Sequence, residues 1–270
     1  MTTEVIILAQ GTQQRLGMQH GYKQLLPLHA CGGVPNLVRT LALVRRQSPS
    51  ARITLVSWRA LVVGVSDVLM PVSEENETRR WVTRAIDNHI ELPDPGNSSL
   101  KGIARYLEHR GRGEILASNG PDATIVLLGD VVYSWACMGA LWAASLTWGF
   151  VGTKDLSSSG GELWGVAWSH RHPSADQHMM ASLRDALLRH PPFNDEYQPG
   201  QMRRWISGIR RGSLEDHVRR LAADGHYVAT DGNDYTMDVD LPHHIPILDS
   251  ASRQAAADDA RHGIVWPGIP

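Results

Sequence analysis

Arg15 and Lys23 bring two positive charges to a short stretch near the N-terminus. Arg15 lies in a glycine-containing loop, Leu8-Ala9-Gln10-Gly11-Thr12-Gln13-Gln14-Arg15-Leu16-Gly17, which follows directly on the apolar run Val5–Leu8. Backbone N–H groups in such a loop can surround phosphate oxygens, and glycine lets the chain approach them closely. Arginine and lysine then supply charge-assisted donors. The loop has no Gly-Lys-Ser/Thr, and Gln13 stands where a dinucleotide-binding loop would carry a second glycine. Two readings therefore stand on the loop alone: a phosphate cradle, or a plain strand-to-helix connection with solvated charges. Further along, Asp130 ends an apolar run, and Asp238 and Asp240 form a late Asp-x-Asp. Taken alone, Asp130 and Asp240 each read first as a turn or cap aspartate and only second as an oxygen ligand.

The elements that must position these groups follow from periodicity. Val5–Leu8 and Thr124–Leu128 are continuous apolar runs of strand length, the pattern of strands buried on both faces. Pro35 opens a helix in which Leu37, Leu41 and Val44 share a face, and Arg52–Val56 is the next strand. This β-loop-α-β order implies a right-handed crossover in a parallel sheet. A further strand is expected within Leu61–Val72, and a helix over Glu74–Ile90. After a break at Leu92–Asn97, Ser98 or Ser99 caps a helix carrying Leu100, Ile103 and Leu107. Ser134–Thr147 reads as a helix, Val151–Gly161 as a polar loop, and Leu163–Trp168 and His226–Thr230 as strands. Ala175–Arg220 reads as helical and basic, and the middle, about 150–230, breaks the strand–helix alternation and is expected to be an inserted or acceptor-facing part. A short helix over Ser250–Arg261 closes the chain. The expected fold class is α/β, three-layer α/β/α with a mostly parallel mixed sheet. One domain over 1–249 is expected to be followed by a helix and tail over 250–270.

Composition bounds the rest. A chain of 270 residues suits one large α/β domain. A net charge of −2 gives no argument for a nucleic-acid or membrane partner. Cys31 and Cys137 are the two cysteines, which make neither a disulfide framework nor a zinc knuckle, and a reducing, cytoplasmic setting is expected. The N-terminal run reads as a strand rather than a signal peptide, and no stretch reaches the ~20 apolar residues of a spanning helix. There are 13 histidines but no His-Glu-x-x-His, and no Gly-x-Ser-x-Gly elbow for serine hydrolysis. Nine tryptophans stand against two phenylalanines; Trp135 and Trp142, seven apart, are expected in a core, and Trp164 and Trp168 are assigned to burial ahead of acceptor stacking. Arg203, Arg204, Arg210, Arg211, Arg219 and Arg220 read as a solvated face.

Taken in order, the motifs resemble the nucleotidyltransferase family with a GT-A-like fold. Leu8-Ala9-Gln10-Gly11 through Arg15-Leu16-Gly17, then Lys23-Gln24-Leu25-Leu26-Pro27-Leu28, then Gly32-Gly33-Val34-Pro35 with Arg39-Thr40-Leu41 are similar to that family's opening. Ser98-Ser99-Leu100-Lys101-Gly102-Ile103, Leu127-Leu128-Gly129-Asp130 and Asp238-Val239-Asp240-Leu241-Pro242 resemble its later landmarks. The sequence departs from the pattern at Gln10, Gln13, Tyr22, Leu241 and His243-His244. Members include sugar-1-phosphate, methylerythritol-phosphate and molybdenum-cofactor nucleotidyltransferases.

The resemblance implies transfer of NMP from an NTP to a phosphorylated small-molecule acceptor, with release of pyrophosphate. It implies Mg2+ held by Asp130 and Asp240, with Asp238 the next candidate. Arg15 and Lys23 would act on the triphosphate, and Ala9, Gln10, Gly11, Ser98 and Ser99 would place the nucleotide. A homodimer is compatible with this reading. Two competing expectations are a metal-dependent glycosyltransferase using a nucleotide-sugar and a non-catalytic relative. The Arg15/Lys23 pair favours a triphosphate over a nucleotide-sugar, which has no γ-phosphate to hold.

Overall fold

The structure is a computed structural model, and it describes residues 2–9, 23–57, 85–91, 120–153, 163–171, 227–229, 234–238 and 244–266. The first strand, β1 (Thr3–Ala9), is buried along its whole length, as its apolar run requires. A 3-10 turn (Lys23–Leu25) leads into a small hairpin, β2 (Pro27–Leu28) and β3 (Val34–Pro35). Between these two strands lie a second 3-10 turn (His29–Cys31) and then Gly32 and Gly33. The two glycines turn the chain with φ of 70° and 78°, a region that side chains disfavour.

Helix α1 (Asn36–Gln47) follows at once. No side chain caps it, so burial of Leu37, Leu41 and Val44, the face expected from sequence, carries its stability. It ends at Ser48, before Pro49, which cannot continue it. Strand β4 (Arg52–Ser57) returns parallel to β1, as the β-loop-α-β order requires. Ala85 is helical, but Asn88–Glu91 is a strand, β5, paired parallel with β4. The helix expected through Ile90 therefore stops short of it. The segment Asn88-His89-Ile90-Glu91 buries only Ile90, and the open edge of β4 decides its conformation.

The second apolar run forms β6 (Ala123–Leu128), parallel to β1 on its other side. It is followed by a tight turn at Gly129-Asp130, the short β7 (Val131–Val132), and helix α2 (Trp135–Ala144). Ser134 caps α2 by accepting from the Cys137 N–H, and the helix ends three residues before the expected Thr147. Strand β8 (Trp148–Gly152) was not anticipated, and it takes in Val151 and Gly152, which read as loop. β9 (Leu163–Ser169) and β10 (Tyr227–Ala229) match expectation, and β11 (Met237–Asp238) pairs antiparallel with β7. The last helix, α3 (Ile245–Arg261), begins five residues before the expected Ser250 because Pro246 is accommodated in its first turn.

The main sheet has the order β10-β8-β9-β6-β1-β4-β5, and β9 runs antiparallel to both of its neighbours. This is the mixed, mostly parallel α/β sheet that the alternation predicted. Val5, Ile7, Ile53, Leu55, Ile125 and Leu127 turn to one face and share a single core with α1, α2 and α3 through Leu37, Leu41, Met138, Leu141, Leu248 and Ala255. Trp164 and Trp168 are buried, as expected, while Trp135 and Trp142 pack half-buried at the edge of the core. Among the described residues no helix is long and apolar enough to cross a membrane.

Candidate functional site

In open α/β sheets ligands collect at the carboxyl ends of the parallel strands. Here that rim is defined by register. Ala9 at the end of β1 is level with Ser57 of β4, and Ser57 is level with Glu91 of β5. On the other side Leu8 is level with Leu128, the last residue of β6. The glycine-containing loop starts from the middle of this rim, and the Gly129-Asp130 turn leaves it one strand away.

The turn is pressed against β1. Gly129 donates its N–H to the Leu8 carbonyl at 2.9 Å. A Cβ at position 129 would lie 2.8 Å from the Cβ of Ala9 and 3.1 Å from the Leu8 oxygen, so only glycine fits without displacing the strand. Asp130 follows, half-buried. The backbone after it is held by donors from the helix behind. Asn36 Nδ2 donates to the Val131 carbonyl at 2.9 Å, and Arg39 Nη1 to the Tyr133 carbonyl at 2.7 Å. The fully buried Tyr133 hydroxyl accepts from the Leu128 N–H at 2.8 Å and donates to the Trp164 carbonyl at 2.7 Å. One phenol thus ties the end of β6 to β9.

The late aspartate segment reaches the same place. Asp238 is paired with Val131, the residue next to Asp130. Burial raises the Tyr133 phenol well above its ordinary pKa, and the charges of both Asp130 and Asp238 add to the rise. Asp234 is committed elsewhere: it accepts from Ser134 Oγ and from the Thr236 N–H, both at 2.7 Å. Thr236 Oγ1 in turn accepts from the Ser134 N–H at 3.0 Å, so this set fastens β11 to the cap of α2.

Behind the turn lies a buried ion pair. Arg39 donates from Nε and Nη2 to the two oxygens of Asp259, each at 2.8 Å, and both side chains are fully buried. Asp259 also accepts from the indoles of Trp135 at 3.2 Å and Trp266 at 2.8 Å. Burial opposes the charge on Arg39, but the hydrogen bonds and charge of Asp259 outweigh it and hold the guanidinium above its ordinary pKa. Removing one partner of such a pair typically costs about 3–5 kcal/mol.

Of the residues expected at the site, Ala9, Lys23 and Asp130 lie among the described residues. Ala9 closes β1, buried; Lys23 opens the first 3-10 turn; Asp130 stands in the turn against Ala9. Gln10, Gly11, Arg15, Ser98, Ser99 and Asp240 lie outside the described residues. The roles of Asn36, Tyr133 and Asp259 went unread, and Arg39 was seen only as part of a motif. None carries a local signal for its partner. Another unread contact is at the rim, where Ser57 Oγ and His89 Nε2 lie 3.0 Å apart. Desolvation lowers the pKa of His89, against the opposing pull of Glu91. The buried thiols are inert by comparison: burial pushes Cys31 up to about 11 and Cys137 to about 12.

Among the described residues no group of three or more His, Cys, Asp or Glu gathers as a metal cage. A magnesium ion does not need one. It is commonly held by one or two carboxylates together with substrate phosphates and water, and Asp130 with the Asp238 segment is donor chemistry of that kind.

No protein-family model and no curated protein sequence matches the chain. Solved structures do resemble it. A UDP-glucose pyrophosphorylase complexed with UDP-glucose aligns at a TM-score of 0.51 and 12% identity, covering 94% of this chain and 98% of the other. The apo form of UDP-glucose pyrophosphorylase gives 0.51 at 13%, with the same coverage. A 4-diphosphocytidyl-2C-methyl-D-erythritol synthase from Anaerococcus prevotii DSM 20548 gives 0.48 at 12%, covering 92% and 94%. What the chain has in common with the pyrophosphorylase structures is the fold: an α/β architecture on a mixed sheet, spanning nearly the full length of both chains.

Proposed function

We propose that this chain is a nucleotidyltransferase. More particularly, it moves NMP from an NTP to a phosphorylated small-molecule acceptor and releases pyrophosphate. The observation that carries the reading is the Gly129-Asp130 turn packed on Ala9, the residue from which the cationic loop departs, with Asp238 laddered alongside. The pyrophosphorylase fold and the ordered motifs of the sequence support it.

In this reaction an acceptor phosphate oxygen attacks the α-phosphorus, the α–β bridging P–O bond breaks, and pyrophosphate leaves with the bonding electrons. Catalysis of such a displacement is mainly positioning and charge neutralisation. Arg15 binds the β- and γ-phosphates and steadies the leaving group. Lys23 lies against the α-phosphate, and backbone from Ala9 to Gly11 cradles the triphosphate, with Ser98 or Ser99 placing the nucleoside. Asp130 and Asp240, with Asp238 as the alternative to the latter, would hold magnesium, which when bound neutralises charge on the phosphates. Asp130 is suited to this because its turn is fixed from β1, α1 and β9.

The test is pyrophosphate release across the four NTPs with a panel of sugar and alcohol phosphates, alongside thermal shifts with NTPs and nucleotide-sugars, each with and without magnesium. Pyrophosphate release and stabilisation by one NTP only with magnesium are expected. Stabilisation by nucleotide-sugars alone would replace the reading with glycosyl transfer, and no response to either would leave a non-catalytic relative.

A further inference from the structure

We propose that helix α3 is a positioning element for Asp130: through Asp259 it aims Arg39, and Arg39 with Asn36 fixes the backbone on which Asp130 stands. The proposal rests on the reading of Asp130 as a site residue. It assigns a role in the reaction to the C-terminal helix, which carries none of the motifs.

The case begins with how the guanidinium is used. Nε and one side of Nη2 are taken by Asp259, Nη2 also approaches Tyr235 Oη at 3.2 Å, and Nη1 is directed at the Tyr133 carbonyl at 2.7 Å. A planar fork cannot turn one arm without moving the others. Asp259 is itself immobilised, since its two oxygens also take the indole N–H groups of Trp135 and Trp266. The direction of the Nη1 bond is therefore set by α3, 220 residues further along the chain.

What that bond holds is a short lever. Val131 and Tyr133 are one and three residues after Asp130, and both carbonyls are anchored to α1 side chains. Before Asp130, Gly129 is bonded to Leu8 and Leu128 to Tyr133 Oη. Asp130 is thus the one residue between a clamp on the sheet and a clamp on α1. A core needing only cohesion would do as well with apolar side chains, because a buried ion pair returns little net stability. Directed hydrogen bonding to a backbone carbonyl is what apolar residues cannot supply.

The experiment compares the full-length wild type with Arg39→Lys, which keeps the charge but has a single-point donor, and with Arg39→Met/Asp259→Leu, which removes the pair without leaving an orphan charge. Three quantities are read: hydrogen exchange of segment 128–133, Mn2+ affinity by electron paramagnetic resonance, and kcat and KM for pyrophosphate release. In the variants, exchange over 128–133 is expected to rise about tenfold while strands 3–9 and 52–57 keep their protection. Mn2+ affinity is expected to weaken, and kcat to fall about tenfold or more with KM for the NTP nearly unchanged, as for a misaimed group. Folded variants with wild-type exchange and kcat would overturn the proposal. If neither variant folds, the wild type decides: amides of 128–133 should open together with those of α3, and independent, much faster opening would overturn it. Loss of protection in the variants while the wild type itself releases no pyrophosphate would uphold the clamp and remove the reaction.

Discussion

Gly129 and Ala9 approach so closely that a methyl group on the first would lie 2.8 Å from the methyl of the second. That contact fixes the spacing between the end of β6 and the start of the cationic loop. Gly129→Ala must push the turn away from β1 or bend β1 itself. The expected cost is about 1–3 kcal/mol of stability, as for other overpacked sites. Pyrophosphate release should fall more than the melting temperature suggests, because the displaced residue is next to Asp130. A variant with wild-type stability and rate would show that the strands can part at no cost.

Tyr133→Phe keeps the ring and removes the hydroxyl. The Leu128 N–H and the Trp164 carbonyl then lose a buried partner. Leaving such groups unsatisfied costs about 1–3 kcal/mol each. Chemical denaturation should show a lower midpoint with little change in slope, since the surface exposed on unfolding is the same. An unchanged midpoint would mean that water replaces the hydroxyl.

Asp130→Asn is isosteric and removes one negative charge. The turn is held by backbone bonds and by Asn36, Arg39 and Tyr133, so the fold should persist. Metal-dependent pyrophosphate release should be abolished. Circular dichroism and a melting curve establish the first expectation, and the coupled assay the second. Wild-type turnover by this variant would remove Asp130 from the site.

His89 gives a pH dependence whose sign is fixed. Its pKa in the fold lies below the ordinary 6.5, chiefly through desolvation. As pH falls through 6.5 the unfolded chain takes up the proton first, so stability decreases on acidification and levels off once the folded form is protonated as well. The His89→Gln variant should lose that part of the acid-side slope. Melting temperatures of both proteins from pH 8 to 5 measure it, and parallel curves would show that His89 does not contribute.

Much of the fold could be read from local pattern, for a physical reason. β1, β4 and β6 are central parallel strands, buried on both faces, and such strands must be apolar runs. α1 shows its buried face at helical spacing. Where neighbours decide, the pattern fails. Asn88–Glu91 has one buried apolar residue and becomes a strand because β4 presents an open edge. Trp148–Gly152, with a glycine in second place and another at its end, is a strand because β9 pairs with it along its length. Met237–Asp238 is a strand only because β7 lies beside it.

The candidate site divides in the same way. The sequence by itself determined which side chains are candidates for the chemistry, Arg15 and Lys23 near the N-terminus and the aspartates at 130, 238 and 240, because charge and spacing are local properties. Only the tertiary structure decided that the Gly129-Asp130 turn rests on Ala9, that Asp238 pairs beside it, and that Arg39 is aimed by Asp259 from the far end of the chain. Those are contacts between residues tens to hundreds of positions apart. No periodicity encodes them, since they form only once the sheet has set the order of its strands and α3 has closed over α1.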